Sequence, residues 1–330
     1  RMSTAKAALF TGRRSSLFLF RVPERLTTRL TTPSTPSTSI RPTPGGKPTL
    51  LHSSNNYVQK KRPFSSTMTT ASTTTTANRG GTILRATPGG DDKDSGTIGL
   101  RQLFDEESST YTYLLWDKST KDAILVDPVD VQVDRDLEEI NSLGLNVVYA
   151  LNTHAHADHI TGTGILKQRI DQLQSVISAA SGAKSDIQIL HGDKIVFGGR
   201  YVEVRSTPGH TEGCVSYLAD DGSFVLTGDA LLVSGCGRTD FQGGSADTLY
   251  DSVHGQLFTL GDATVVYPAH DYKSRTHTTI GIEKENNPRL GGTKSKEDFA
   301  EIMSNLNLSY PKKIDVAVPA NMRCGVPDVE

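Results

Sequence analysis

The pattern that most restricts this chain is Thr153-His154-Ala155-His156-Ala157-Asp158-His159, set directly after the apolar run Val147–Leu151. Alternate side chains of an extended segment share a face, so His154 and His156 aim together. The turn that follows brings Asp158 and His159 back toward the same space. Three later motifs each offer one further donor where a predicted strand runs into a loop: Pro208-Gly209-His210-Thr211, Thr227-Gly228-Asp229-Ala230 and Pro268-Ala269-His270-Asp271. Imidazole and carboxylate donors suit zinc, iron or manganese, and several of them converging from separate strand ends form a preorganised metal site. His52, His191, His254 and His277 fall outside these motifs and receive no role.

The elements around the motifs read as follows. Tyr111–Trp116 and Ala123–Asp127 form a hairpin pair about a polar turn. Asp134–Leu143 fits a helix with Leu137 and Ile140 on one face and Gly144 at its end. Strand Asn146–Leu151, a helix beginning near Gly162, strand Tyr201–Arg205 and the pair Cys214–Leu218 with Ser223–Leu226 follow, then helix Ala246–Leu260 and strand Thr264–Tyr267. Strand pairs separated by helices imply an α/β fold of two sheets packed face to face with helices outside.

Charge divides the chain. Residues 1–90 carry 14 basic residues against the single acid Glu24, a balance of +13, while residues 91–330 carry 21 basic and 36 acidic, a balance of −15. The first segment is rich in Arg and Ser and, from Ser65 to Asn78, ten of fourteen residues are Ser or Thr. That composition buries no core and suits an organellar transit peptide followed by a disordered Ser/Thr-rich linker. Ala7–Val22 would make a basic amphipathic helix, and Arg62-Pro63-Phe64-Ser65-Ser66 resembles a mitochondrial cleavage site, which places the mature protein in the matrix. A permanent basic tail or a chloroplast address shares this composition, and Met68 offers a shorter start.

Residues 91–330 are expected to be one catalytic domain. Their acidity argues against nucleic acid, and their apolar runs fall far short of the roughly 20 residues of a membrane span. Cys214, Cys236 and Cys324 are too few and too scattered for a disulfide framework or a CxxC site.

The series His154-Ala155-His156-Ala157-Asp158-His159, His210, Asp229 and His270 resembles the metallo-β-lactamase superfamily over about residues 97–330. The resemblance implies an αββα sandwich of two mixed β-sheets flanked by helices, with metals at one edge. Two branches share the series. The glyoxalase II type, a dinuclear hydrolase of glutathione thioesters, would use His154, His156 and His210 on one metal and Asp158, His159 and His270 on the other, with Asp229 bridging. The persulfide dioxygenase branch resembles it but uses one Fe(II) per chain, held by His154, His210 and Asp229.

Several segments are similar to the dioxygenases: Gly235-Cys236-Gly237-Arg238-Thr239-Asp240-Phe241-Gln242, Asn287-Pro288-Arg289-Leu290, Asn305-Leu306-Asn307-Leu308 and Val318–Gly325. Only 60 residues follow His270, too few for the fuller helical domain of glyoxalase II. The resemblance implies oxidation of glutathione persulfide by O2 to sulfite and glutathione, with the persulfide supplied by an upstream persulfide-generating enzyme, and a possible homodimer. His156, Asp158, His159 and His270 then either orient ligands and water or make a second metal position, and Asp271 and Thr211 are candidates for the same supporting shell. Arg238 is expected to pair with a glutathione carboxylate and Tyr272 to hydrogen-bond its peptide groups. Cys236 and Cys324 invite a persulfide-carrying role, but with no base or resolving Cys nearby in sequence they read as small buried residues.

Overall fold

The computed structural model describes residues 83–85 and 97–326. The transit peptide and linker expected over residues 1–90 lie outside the described residues, apart from the short strand β1 (Ile83–Arg85), which pairs in parallel with Lys194–Val196. Next come β2 (Ile98–Asp105), β3 (Thr110–Asp117), β4 (Asp122–Val126), α1 (Val133–Leu143), β5 (Asn146–Leu151), α2 (Thr163–Arg169), β6 (Gln174–Ser178) and β7 (Ile187–Ile189). These six strands form one sheet in chain order, antiparallel from β2 to β4 and parallel from β4 to β7.

The second sheet contains β8 (Lys194–Phe197), β9 (Arg200–Ser206), β10 (Val215–Ala219), β11 (Phe224–Gly228), then, after α3 (Ala246–Ser252), β12 (Val265–Pro268) and β13 (Thr278–Thr279), with β1 on its outer edge. Helices α4 (Ile280–Asn286), α5 (Lys296–Ser304) and α6 (Ile314–Asn321) close the chain. Among the described residues, no helix is long and apolar enough to cross a membrane.

Alternation along the strands builds three layers of apolar contact. Tyr113, Leu115, Ile124, Val126 and Leu151 of the first sheet meet Ile195, Phe197, Val202, Val204 and Tyr217 of the second. The neighbours with opposite parity point outward: Leu114, Leu125 and Ala150 pack under α1 and α2. Leu218, Val225 and Val266 pack under α3, α4 and α5. Truncating one of the buried leucines, Leu115→Ala for example, carries a cost of about 2–5 kcal/mol. The expected αββα sandwich is the fold observed.

One expected element differs in detail. The helix foreseen over Ala246–Leu260 is regular only to Ser252. Its continuation Val253–Leu257 widens by a residue, with Phe258 N–H bonded to Val253 O, where Gly255 adds no side chain and His254 Nε2 faces Leu290 O. Strands β2, β6, β7 and β8 and helices α4 to α6 stand beside the expected ones.

Strand direction places the motifs. Strands β9 and β11 both run antiparallel to β10, and β12 is parallel to β11, so all three end at one edge of their sheet. The ends of the parallel strands β4 and β5 supply the facing edge. At the close of β9, Gly209 adopts φ +130, and a Cβ there would stand 2.3 Å from Leu249 N, so only glycine lets α3 approach the turn that carries His210.

Candidate metal centre

The donor atoms of His154, His210 and Asp229 all lie within 4.8 Å of one another, and so do those of His156, Asp158 and His159. Asp229 stands between the groups: His210 Nε2 is 3.4 Å from its Oδ2 and His270 Nε2 is 3.6 Å from its Oδ1. His270 Nε2 is also 3.7 Å from Asp158 Oδ2. The series of motifs thus converges as the sequence implies, and every one of the five imidazoles is buried.

Each imidazole is held by a partner that fixes which nitrogen faces inward. His210 Nδ1 lies 2.7 Å from Arg238 O, and a carbonyl only accepts, so Nδ1 carries the proton and Nε2 presents its lone pair. The same logic applies to His270 Nδ1 on Ser109 O at 3.2 Å and to His159 Nδ1 on Asp158 Oδ2 at 2.8 Å. Thr153 Oγ1 donates its one proton to Asp127 Oδ2 at 2.8 Å, so His154 Nδ1, 3.0 Å away, donates to Thr153. His156 is reversed: Nε2 donates to Asp127 Oδ1 at 3.0 Å and Nδ1 faces inward.

A cation fits this arrangement on two counts. His156 Nδ1, His159 Nε2 and Asp229 Oδ1 are buried polar atoms with no hydrogen-bond partner, which a folded chain rarely tolerates. The electrostatics also favour positive charge. Burial works against the His156 cation, but Asp127, Asp158 and Asp229 outweigh it and raise its pKa, and Asp229 with Asp158 does the same for His270. Burial and the neighbouring His156 and His210 push His154 well below the usual histidine range, leaving it a neutral donor. His154, His210 and Asp229 supply two imidazoles and one carboxylate, which suit iron, zinc or manganese.

Three supporting residues were not singled out from the sequence. Asp127, at the end of β4, takes up Thr153 N–H at 2.7 Å as well as the Thr153 hydroxyl and His156. Asn321, at the end of α6, donates to His156 O at 2.9 Å and His159 O at 2.8 Å and accepts from Thr161 N, clamping the His-rich turn. Thr110 Oγ1 donates to Asp158 Oδ2 at 3.0 Å and lies 3.4 Å from Nδ1 of both His159 and His270.

The remaining expected residues are placed as follows. The Arg238 guanidinium grips Asp240 with Nε and Nη2 at 2.6 and 2.7 Å, donates to Ser309 O and lies over the Phe241 ring. Its fork is therefore committed within the chain rather than open to a carboxylate, and its visible link to the centre is its backbone carbonyl on His210. Asp271 is spent on its own loop, accepting from Lys273 N, Arg275 N and the Arg275 side chain. Thr211 bonds Cys214 Sγ instead of a ligand. Tyr272 is 73 % exposed, its ring parallel to that of His270 within 5° and 6.1 Å away, so it borders the centre with a free face. Cys236 is a buried thiol whose pKa burial pushes up to about 11, the plain role expected for it, whereas Cys324 is only half-buried; Cys214 is buried too, its thiol pushed up to about 12.

A model of the metallo-beta-lactamase superfamily matches residues 105–270. The chain is 55% identical over 227 residues to persulfide dioxygenase ETHE1, mitochondrial, of Mus musculus, which covers 69% of this chain and 89% of that one. The crystal structure of ETHE1 from Myxococcus xanthus superposes with a TM-score of 0.66 at 54% identity, covering 69% of this chain and 99% of that chain. The crystal structure of TTHA1623 in a di-iron-bound form superposes with a TM-score of 0.50 at 25% identity, over 57% of this chain and 98% of that one. The chain belongs to the metallo-β-lactamase superfamily and, within it, to the persulfide dioxygenase family.

Proposed function

We propose that this chain oxidises glutathione persulfide with dioxygen at one ferrous ion held by His154, His210 and Asp229. The observation that carries the reading is that triad, with two preoriented imidazoles and one carboxylate, in a chain 55% identical to a protein named persulfide dioxygenase. The overall change balances as persulfide plus O2 plus water giving glutathione, sulfite and two protons. Iron bound there would supply the redox chemistry that amino-acid side chains lack.

The chain's own residues bind and orient. Asp127 and Thr153 fix His154 and His156, Arg238 O fixes His210, and Ser109 O fixes His270. With two neutral imidazoles and one carboxylate a ferrous site would keep a net charge of about +1, which attracts a persulfide anion. Tyr272, with its exposed face beside His270, is the residue of choice for the glutathione peptide groups. Arg238 keeps a substrate role only by releasing Asp240, so its first role is to hold its loop. The mitochondrial relatives and the basic, Ser-rich first segment support a matrix location, with the persulfide delivered there by a separate persulfide-generating enzyme, and the family supports a homodimer.

The second donor group, His156, Asp158 and His159, favours one rival: a dinuclear hydrolase of glutathione thioesters. The two separate on products. Incubated with glutathione persulfide in air, the purified chain is expected to release sulfite, and none under argon. Release of glutathione from a lactoyl thioester at a rate that exceeds persulfide turnover and ignores oxygen would overturn the proposal.

A further inference from the structure

The loop that carries His210's partner is tied down by the segment at and after α4. Glu283, 1 % exposed, accepts the Ser234 N–H with both carboxylate oxygens at 3.1 Å. Asn287, also buried, donates through Nδ2 to Gly235 O at 3.0 Å and to Glu283 Oε2 at 2.7 Å. Its Oδ1 accepts from Arg289 N and Leu290 N, each at 3.0 Å, a turn that sends the Arg289 side chain back to the same loop. There Arg289 Nη1 donates to Cys236 O at 3.0 Å. Ser234, Gly235 and Cys236 are thus held one after another by an acid, an amide and a guanidinium.

The next two residues reach the donors. Gly237 N–H donates to Asp229 O at 2.7 Å, and Arg238 O accepts from His210 Nδ1 at 2.7 Å. There is no slack between clamp and donors: a Cβ on Gly237 would lie 2.7 Å from Asp229 O and 2.8 Å from His210 Nδ1. Ser234, at the start of the loop, sits at φ 55, a left-handed conformation that costs a serine free energy and persists only where its surroundings impose it.

We infer that Glu283, Asn287 and Arg289 are positioning residues that hold residues 234–238 so that Arg238 O fixes the His210 tautomer and aims its Nε2 at the position shared with Asp229. The inference rests on the metal-centre reading for its consequence, whereas the tautomer it sets belongs to the metal-free chain. Without the clamp the carbonyl of Arg238 drifts, and His210 is free to carry its proton on Nε2, where it opposes a cation. Partners of this kind alter metal affinity by roughly 10- to 100-fold when they touch the ligand directly, and a relay one residue removed falls at the lower end.

The test uses the full chain as Arg289→Met and Arg289→Lys. In metal-free wild type, long-range nitrogen–proton correlation of the imidazoles is expected to show His210 protonated on Nδ1. Arg289→Met is expected to mix the two tautomers and weaken Fe(II) or Zn(II) binding about tenfold, while the metal-free melting midpoint moves by less than about 4 °C. Arg289→Lys, which keeps a cationic donor, is expected to restore most of the affinity. Should Arg289→Met fail to fold, Glu283→Gln, which preserves size and one acceptor, is read in the same way. An unchanged tautomer and unchanged affinity in the folded variant would overturn the inference. A wild type that holds the Nδ1 tautomer yet binds no cation would instead refute the metal-centre reading and leave the clamp standing.

Discussion

Asp127 Oδ1 lies 3.0 Å from His156 Nε2, and the same carboxylate holds Thr153, the residue on which His154 rests. One buried acid therefore sets two of the inward-facing imidazoles. Asp127→Ala would strand the Thr153 N–H and the His156 Nε2–H without partners. The expected result is a fall in metal affinity of about 10- to 100-fold, read by equilibrium dialysis with metal analysis. Retention of wild-type affinity would show that the imidazoles are oriented without it.

Asn321 joins α6 to the His-rich turn through three hydrogen bonds in a buried setting. Asn321→Leu keeps the size and removes the bonds, leaving His156 O, His159 O and Thr161 N unsatisfied. Each such group costs about 1–3 kcal/mol, but carbonyls relax more readily than N–H groups, so a loss of about 3 kcal/mol is expected from urea unfolding. A loss below about 1 kcal/mol would mean that the turn holds itself.

Asp136 of α1 is fully buried, its Oδ1 bonded to Arg135 and its Oδ2 without a partner. Burial pushes its pKa up from 3.8 to about 6, with Arg135 opposing only in part. Because the folded value is raised, this carboxyl's contribution to stability is complete below the unfolded value and is lost as pH rises through about 6. At pH 8 the buried charge is a burden worth at most about 3 kcal/mol. Asp136→Asn removes it but weakens the hold on Arg135, so a net gain of about 1–2 kcal/mol is expected at pH 8, vanishing below pH 4. Chemical denaturation at the two pH values checks this, and a pH-independent difference would contradict it.

Much of the donor set was legible because a metal demands particular side chains at strand ends: His154, His156, Asp158, His159, His210, Asp229 and His270 all meet as their motifs imply. Asp127 was not, since an acid between Val126 and Pro128 reads as an ordinary strand-ending turn residue. Asn321 lies 160 residues from Thr161 in the chain, and no local pattern announces so distant a hydrogen bond. Arg238 presents the opposite case. A lone arginine in a loop advertises its charge, while Asp240 two residues on neutralises it and its backbone carbonyl reaches His210. Helix α5 carries a readable start in its Ser295–Asp298 capping box, whereas β2 mixes Arg101 and Gln102 into its apolar run and hides its period.

A single ferrous ion at His154, His210 and Asp229 is proposed to drive oxygen consumption. Metal analysis and an oxygen electrode, applied to one preparation of the protein with glutathione persulfide as substrate, decide whether it does. The expected result is about one iron per chain and oxygen uptake that depends on persulfide and is lost in Asp229→Ala together with the iron, since two imidazoles without their carboxylate no longer suit ferrous iron. Two metals per chain with thioester cleavage and no oxygen uptake would contradict it.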